Sequence, residues 1–217
     1  MNQIKNSIRI IKKKISRNKL VLSRFFTPTF FSVVLVEGML RLYLFFYVFR
    51  SFQEQENKRI PLLAKLLNPN TGDELALFLS ILEISSLIMM VAGAAYLFFF
   101  SVLSLKRERI LEETELRVKA SLGVSPKILT FEFIGESMVT MIVASVMSIS
   151  LVNLLYTSIY ILFQSSWVAD YLIAPLTLFV HYDLVSSGLL LLFLTVLTGH
   201  TYFRIKNQYY NYRWKRS

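Results

Sequence analysis

The sequence predicts an all-α polytopic membrane protein with four transmembrane helices and both termini in the cytoplasm. Hydrophobic residues make up 54% of the 217 positions, and the mean hydropathy is +0.51, which is unusual for a soluble domain. The apolar residues are concentrated in four runs, and each is long enough to cross a hydrocarbon core of about 30 Å, which needs about 20 helical residues. We predict spans at 25–49, 75–105, 128–163 and 184–203.

The placement of Lys and Arg predicts the orientation of these spans. Residues 1–24 carry eight bases and no acid, the 106–127 segment carries six bases, and the tail 204–217 carries five bases and no acid, whereas the 164–183 segment carries none. This is the positive-inside pattern, with both termini and the middle loop in the cytoplasm. In the short extracellular loop 50–74, four bases are matched by four acids. The net charge of +10 therefore indicates membrane lipid as a partner and no nucleic acid.

The basic N-terminal segment 1–24 has an apolar side. Ile4, Ile8, Ile11 and Ile15 recur at helical spacing, with the bases on the other sides. Such a helix would lie in the inner interface of the membrane, with its bases toward anionic lipid. An ordinary basic flank that only fixes the topology explains the segment equally well, and the sequence leaves both interpretations open.

Charged residues within the first span form a predicted pair. Glu37 and Arg41 lie four positions apart near its middle, where each charge costs about 2.5–3.5 kcal/mol on insertion scales, so they should pair or face protein. The pair could belong to a substrate path or be purely structural.

We predict no metal site and no cofactor in this chain. The sequence contains no cysteine, which excludes a thiolate site. His181 and Asp183 lack a third ligand nearby, so we place them at a polar edge of the extracellular interfacial loop 164–183. Glu132 and Glu136 lie one helical turn apart, but no second catalytic group accompanies them, and we expect them at the inner interface rather than in acid–base catalysis.

The segment 106–127 is predicted to be a cytoplasmic helix that ends in a corner. No Gly or Pro occurs from Lys106 to Leu122. Leu111, Val118 and Leu122 recur on one side of that helix, and Glu113 with Arg117 and Glu115 with Lys119 place an acid four residues before a base. Gly123 suits a helix C-terminus that needs a positive φ, and Ser125 and Pro126 suit an N-cap and a first helical position.

This corner resembles a known element. ELRVKASLGVS, residues 115–125, is similar to the E-I-x-x-x-x-x-L-G-A-[ST] signature of FtsX-like permeases, the membrane subunits of MacB-type ABC systems. In that family the signature lies between the second and third of four spans, and an apolar helix with a Glu follows it, as FEFIGES does here. The resemblance implies a coupling helix that contacts an ATPase, formed by Glu115, Leu116, Arg117, Val118, Lys119, Leu122, Gly123, Val124, Ser125, Pro126 and Lys127.

The sequence departs from the family pattern at two points. Family members often have a small residue at the position of Arg117 and an Arg at that of Ala120, and most carry a sizeable folded domain where this chain has about 25 residues, 50–74.

The resemblance implies a permease subunit that works as a homodimer or with a sister permease. We expect no enzyme activity in this chain, because it has no phosphate-binding loop, so ATP and Mg would be bound by the ATPase. The alternative is a membrane interaction protein without an ATPase, such as a bacteriocin immunity or regulatory protein. No nucleophile, base and orienting group can be assembled for a membrane-embedded enzyme.

Overall fold

The computed structural model describes residues 19–59 and 71–214, which are mostly helical and contain no strand. Residues 1–18, 60–70 and 215–217 lie outside the described part, and with them the predicted N-terminal isoleucine face. The α-helices are α1 (Lys19–Arg59), α2 (Thr71–Leu111), α3 (Glu113–Ser121), α4 (Pro126–Phe163), α5 (Pro175–Leu178) and α6 (Leu184–Trp214), with a 3-10 helix at Trp167–Tyr171 before α5 and a π-helical turn at Phe179–Asp183 after it.

Four helical stretches in the described residues are long and apolar enough to cross a membrane, as predicted. Their faces away from the protein consist of exposed large apolar side chains such as Phe31, Ile88, Leu154 and Leu192, which suits contact with lipid rather than with water. The stretches are Arg24–Gln53, Leu75–Leu111, Pro126–Phe163 and Trp167–Tyr209.

The helices extend beyond the predicted spans at several boundaries. Residues 50–59 of the predicted extracellular loop continue α1, and residues 71–74 begin α2. The predicted loop 164–183 is partly helical, because Pro175 starts a helical stretch that runs through the π-helical turn into α6. Hydropathy marks the apolar part of a helix, and a helix continues past it wherever no Gly or Pro ends it.

The chain forms two compact units. The first unit contains the described parts of residues 1–30, 97–147 and 185–217. Its hydrophobic core joins Phe25 of α1, Leu105 of α2, four residues of α4 that include Phe133, and three residues of α6 that include Leu194 and Ile205. The remaining members of this core are Leu129, Ile134, Met141 and Leu197.

The second unit contains residues 31–96 and 148–184. Gly93 of α2 is buried, and a Cβ built on it would lie 2.7 Å from Leu35 Cδ2 and 3.1 Å from Val36 Cγ2 of α1. Because only a hydrogen occupies that position, the two helices approach closely here, as small residues allow in membrane helix pairs.

Candidate functional site

The candidate site is the charged corner between α2 and α4, and it lies within the first unit. The predicted single helix 106–122 is interrupted at Glu112, where φ is −95° and ψ is 7°. The backbone hydrogen bonds continue past this residue, since the Glu112 N–H donates to Glu108 O and the Leu116 N–H donates to Glu112 O. The interruption is therefore a local bend, and α3 is a short helix of nine residues that follows it.

The end of α3 forms a Schellman motif. Gly123 has a φ of +83°, its N–H donates to Ala120 O at 3.1 Å, and the Val124 N–H donates to Lys119 O at 3.2 Å. These two bonds satisfy carbonyls that the helix end would otherwise leave unpaired. Among the described residues Gly123 alone has a positive φ, so glycine is the favoured residue at this position of the corner.

The next helix starts immediately after this turn. Pro126 is the first residue of α4, and the Ser125 carbonyl accepts the first helical hydrogen bond, from the Leu129 N–H at 3.1 Å. Proline suits this position because its missing N–H would have no partner there. The predicted Gly123 and Ser125–Pro126 corner is therefore present, with four residues between the end of α3 and the start of α4.

Lys119 connects α3 to α4. Both predicted ion pairs are present within α3, Glu113–Arg117 at 3.6 Å and Glu115–Lys119 at 2.8 Å. Lys119 Nζ also lies 3.1 Å from Glu132 Oε2 on α4, a partner that the sequence did not predict. Partial burial lowers the pKa of Lys119, but hydrogen bonds to Glu115 and Glu132 outweigh this effect, so the pKa is raised above its ordinary value.

The apolar residues of α3 divide between two faces. Leu116 and Ala120 pack against the core of the first unit, as does Val124 in the turn. Val118 is 53% exposed and Leu122 is 77% exposed. The predicted apolar side of α3 is therefore exposed. A different side, which carries Leu116 and Ala120, packs against the first unit.

A small cavity of about 50 Å³ lies under α3. Its walls come from the end of α2, from α3, from α4 and from the far part of α6, and they include Leu116, Leu129 and Tyr209. The cavity shows that α3 is not packed against the core over its whole length.

Two acidic residues near the start of α4 differ in environment. The side chain of Glu132 is 13% exposed and contacts Lys119, whereas Glu136 is buried, with 3% of its surface exposed. Next to Glu136, Ser137 donates to Glu108 Oε2 on α2 at 3.3 Å. Glu136 therefore lies inside the unit, and its position at the inner membrane interface stays a prediction.

The predicted Glu37–Arg41 pair is present and belongs to a larger polar cluster in the second unit. Arg41 Nη1 lies 3.0 Å from Glu37 Oε2. Its Nη2 donates to Asn153 Oδ1 on α4 at 2.7 Å and to Asp183 Oδ1 at 2.8 Å, and the Asn153 amide donates to the other oxygen of Asp183. The ring of Tyr156 lies 5.9 Å from the guanidinium.

Our placement of Asp183 at a polar loop edge was wrong. Its residue is 2% exposed, and it ends the π-helical turn, where the wider turn directs it toward Arg41. His181 stays exposed and makes a local contact with Thr177 O at 3.2 Å. The sequence carried only part of this signal. A buried acid in an apolar segment needs a base, and Arg41 is a base within a predicted span, but the sequence did not indicate that Asp183 is buried.

A second ion pair between spans was also missed. Arg50 Nη1 lies 2.9 Å from Glu83 Oε2, which connects α1 to α2 in the second unit. Arg50 lies in the predicted extracellular loop, and only the longer α1 brings it opposite Glu83. No group of three potential metal ligands occurs in the part of the chain that the structure describes.

These features define a helical multi-pass membrane protein with buried charges between its spans and a charged corner outside them. Comparisons with protein-family models, with curated proteins and with solved structures found no match for this chain.

Proposed function

We propose that this chain is a compact FtsX-like permease subunit of an ABC transporter in the bacterial cytoplasmic membrane. The observation that supports this function best is α3, a short helix with exposed Val118 and Leu122 that a four-residue corner joins directly to the membrane helix α4. In this proposal the exposed face of α3 contacts a separate ATPase, which binds ATP and Mg and carries out hydrolysis.

The construction of the corner suits the transmission of force. Gly123 and Pro126 fix the path of the chain between α3 and α4, and Lys119 connects the two helices a second time through Glu132. A push on α3 would therefore move the start of α4 rather than be absorbed in a flexible linker. The stiff helix would carry that motion into the membrane, where it would export or extract a peptide or lipid or signal to an extracellular partner.

Co-purification tests the proposed contact. The tagged chain would be co-expressed with an ABC ATPase encoded by a neighbouring gene, and retention of the ATPase would be compared for wild type, Leu122→Glu and Leu111→Glu. Leu111 is a matched control, because it is also an exposed leucine, at 70%, but precedes α3. We expect Leu122→Glu to lower retention about tenfold, as loss of one apolar contact residue does, and Leu111→Glu to leave it unchanged.

The same experiment has outcomes that would reject the proposal. Wild type that retains no ATPase, or equal loss in both variants, would mean that α3 is not the contact. A cross-link adds a second readout, since the chain has no cysteine and a cysteine introduced at Leu122 would be its only thiol. Both variants change exposed side chains, so folding should be preserved, and helical content measured by circular dichroism would verify this.

An alternative function is that of a membrane interaction protein without an ATPase, such as an immunity or regulatory protein. The short segment between α1 and α2 favours it, because only residues 60–70 separate the two helices. This alternative predicts that no ATPase co-purifies with the wild-type chain, whereas a permease subunit retains one.

A further inference from the structure

A basic groove lies between α2 and α6 in the first unit. Its polar rim is formed by Lys106 and Arg109, three residues apart on α2, and by His200 and Arg204, four residues apart on α6. These spacings place each pair on one side of its helix, so the two pairs face the same space. The floor is apolar and consists of Val102, Leu105 and Leu197.

The groove concentrates positive charge without a matching acid. Within the described part of the chain, no carboxylate lines it. Among the residues that the structure describes, Lys106, Arg109 and Arg204 form no ion pair with an acid, although the nearby Lys119 has two acidic partners. Three uncompensated cations facing one space attract an anion, and guanidinium groups match the geometry of phosphate oxygens.

The position of the groove identifies the source of the anion. Lys106 directly follows the predicted second span, and Arg204 directly follows the fourth, so the cations lie where phospholipid headgroups meet the hydrocarbon core. Beside the groove, Leu103 of α2 and Phe203 of α6 are 63% and 62% exposed and offer an apolar surface to acyl chains. The cavity is about 30 Å³, which admits phosphate oxygens but does not enclose a nucleotide.

We propose that this groove binds the headgroup of an anionic phospholipid, with the phosphodiester held by Arg109, Arg204 and Lys106 and the acyl chains lying along Leu103 and Phe203. This inference is independent of any ATPase partner. It differs from the general attraction of basic flanks to the membrane, because it assigns lipid binding to particular cations and no binding role to the neighbouring ones.

Native mass spectrometry of the full chain in detergent tests this site. The protein would be supplied with phosphatidylglycerol or with zwitterionic phosphatidylcholine, and the bound lipid would be counted. The site variant is Arg109→Gln/Arg204→Gln. The matched control is Arg107→Gln/Lys206→Gln, which removes the same charge from the same two helices at residues that do not line the groove.

We expect wild type to retain phosphatidylglycerol in preference to phosphatidylcholine. The site variant should lose about tenfold or more of this retention, since it removes two charged hydrogen-bond donors to the phosphodiester, and the control should stay within about twofold of wild type. Equal loss in both variants, equal retention of the two lipids, or no retained lipid in wild type would overturn the assignment. A further arm adds glycerol phosphate, and displacement of the lipid by an equal concentration of it would also overturn the lipid assignment, in favour of a phosphate site.

A single variant at Arg204 keeps the test valid if the double variant misfolds. Arg204 is exposed, so the single variant Arg204→Gln should fold normally and lose part of the retention. Unchanged retention in a folded Arg204→Gln protein would contradict the proposal even if the double variant did not fold.

Discussion

The guanidinium of Arg41 lies 2.8 Å from Oδ1 of Asp183, although 142 positions separate the two residues. The same guanidinium holds Glu37 on the preceding turn of α1 and Asn153 on α4. One cation therefore serves two carboxylates in the second unit, and α1, α4 and the π-helical turn are joined at this side chain.

Replacement of Arg41 should strongly destabilise the protein. In Arg41→Met the carboxylates of Glu37 and Asp183 stay buried without their cation, and removal of one partner of a buried pair costs about 3–5 kcal/mol. Asp183→Asn should cost less, because the amide keeps an oxygen that can accept from Arg41. The free energy of unfolding in detergent or bilayer would be measured for both variants and for Arg41→Met/Asp183→Asn.

The double variant provides the control for this comparison. If the two side chains interact as the distance indicates, the double variant should be more stable than the sum of the single effects predicts. Strict additivity, or an Arg41→Met protein as stable as wild type, would contradict the central role of Arg41.

The parts of the fold that depend on neighbouring residues could be predicted from the sequence. Long apolar runs predicted four spans. In the hydrocarbon core each helix must pair its own backbone polar groups and expose apolar side chains, so the length of an apolar run is enough to predict a span. The corner could also be predicted from neighbouring residues, since Gly123 and Pro126 act through their own backbone angles. The Glu113–Arg117 and Glu115–Lys119 pairs follow from helical spacing.

The contacts between distant segments could not be predicted in this way. The partners of Lys119 and Arg41 on other helices depend on how the helices are rotated, which hydropathy does not determine. Asp183 was assigned to a loop because the π-helical turn that carries it has no sequence signal that we used. The buried side of α3 was also missed, since Leu116 and Ala120 are less prominent than Val118 and Leu122.

A side chain at Gly93 should disturb the contact between α1 and α2. The Cβ would lie 2.7 Å from Leu35 Cδ2, which can move, and 3.1 Å from Val36 Cγ2, which is held by a stiff β-branched side chain. The larger Gly93→Val should therefore cost about 1–3 kcal/mol, as overpacking does. Gly38→Val on α1 is the control, because a Cβ there meets nothing within 4 Å. Thermal unfolding would compare the two, and equal stabilities would show that the helices are not closely packed at Gly93.

The link between Lys119 and Glu132 should limit the motion of α3. A spin label on Thr114→Cys, an exposed position in a chain with no native cysteine, would report this motion by electron paramagnetic resonance. Lys119→Met should increase label mobility because α3 loses its ion pair with α4. Arg117→Met is the control, since Arg117 pairs with Glu113 within α3. The same mobility in both variants would indicate that the corner alone holds the helix.

The contribution of Lys119 to stability should disappear at high pH. Its pKa in the folded protein is raised above the ordinary value of 10.5, so the stabilisation is fully present below 10.5 and is lost as the pH rises through the folded-state pKa. The side chain is partly exposed, and the contribution should stay below about 1 kcal/mol. The difference in unfolding free energy between wild type and Lys119→Met would be measured from about pH 7 to pH 11. A difference in unfolding free energy that grows as the pH rises would contradict this prediction.

Substitution of Gly123 should show how much the corner depends on backbone conformation alone. A Cβ at Gly123 would meet nothing within 4 Å, but φ is +83°. Gly123→Ala should therefore lower the free energy of unfolding by about 1–2 kcal/mol, because alanine disfavours the left-handed conformation. Gly123→Asn should lower it less, because Asn tolerates that conformation. Gly199→Ala is the control, since a Cβ there also meets nothing while the residue lies within α6, where alanine is favoured over glycine by about 0.5–1 kcal/mol. Hydrogen exchange at the Val124 amide, which donates to Lys119 O, would locate the effect. It should accelerate in Gly123→Ala and not in Gly199→Ala, and an unchanged rate in both would mean that the turn tolerates a side chain by adopting a different path.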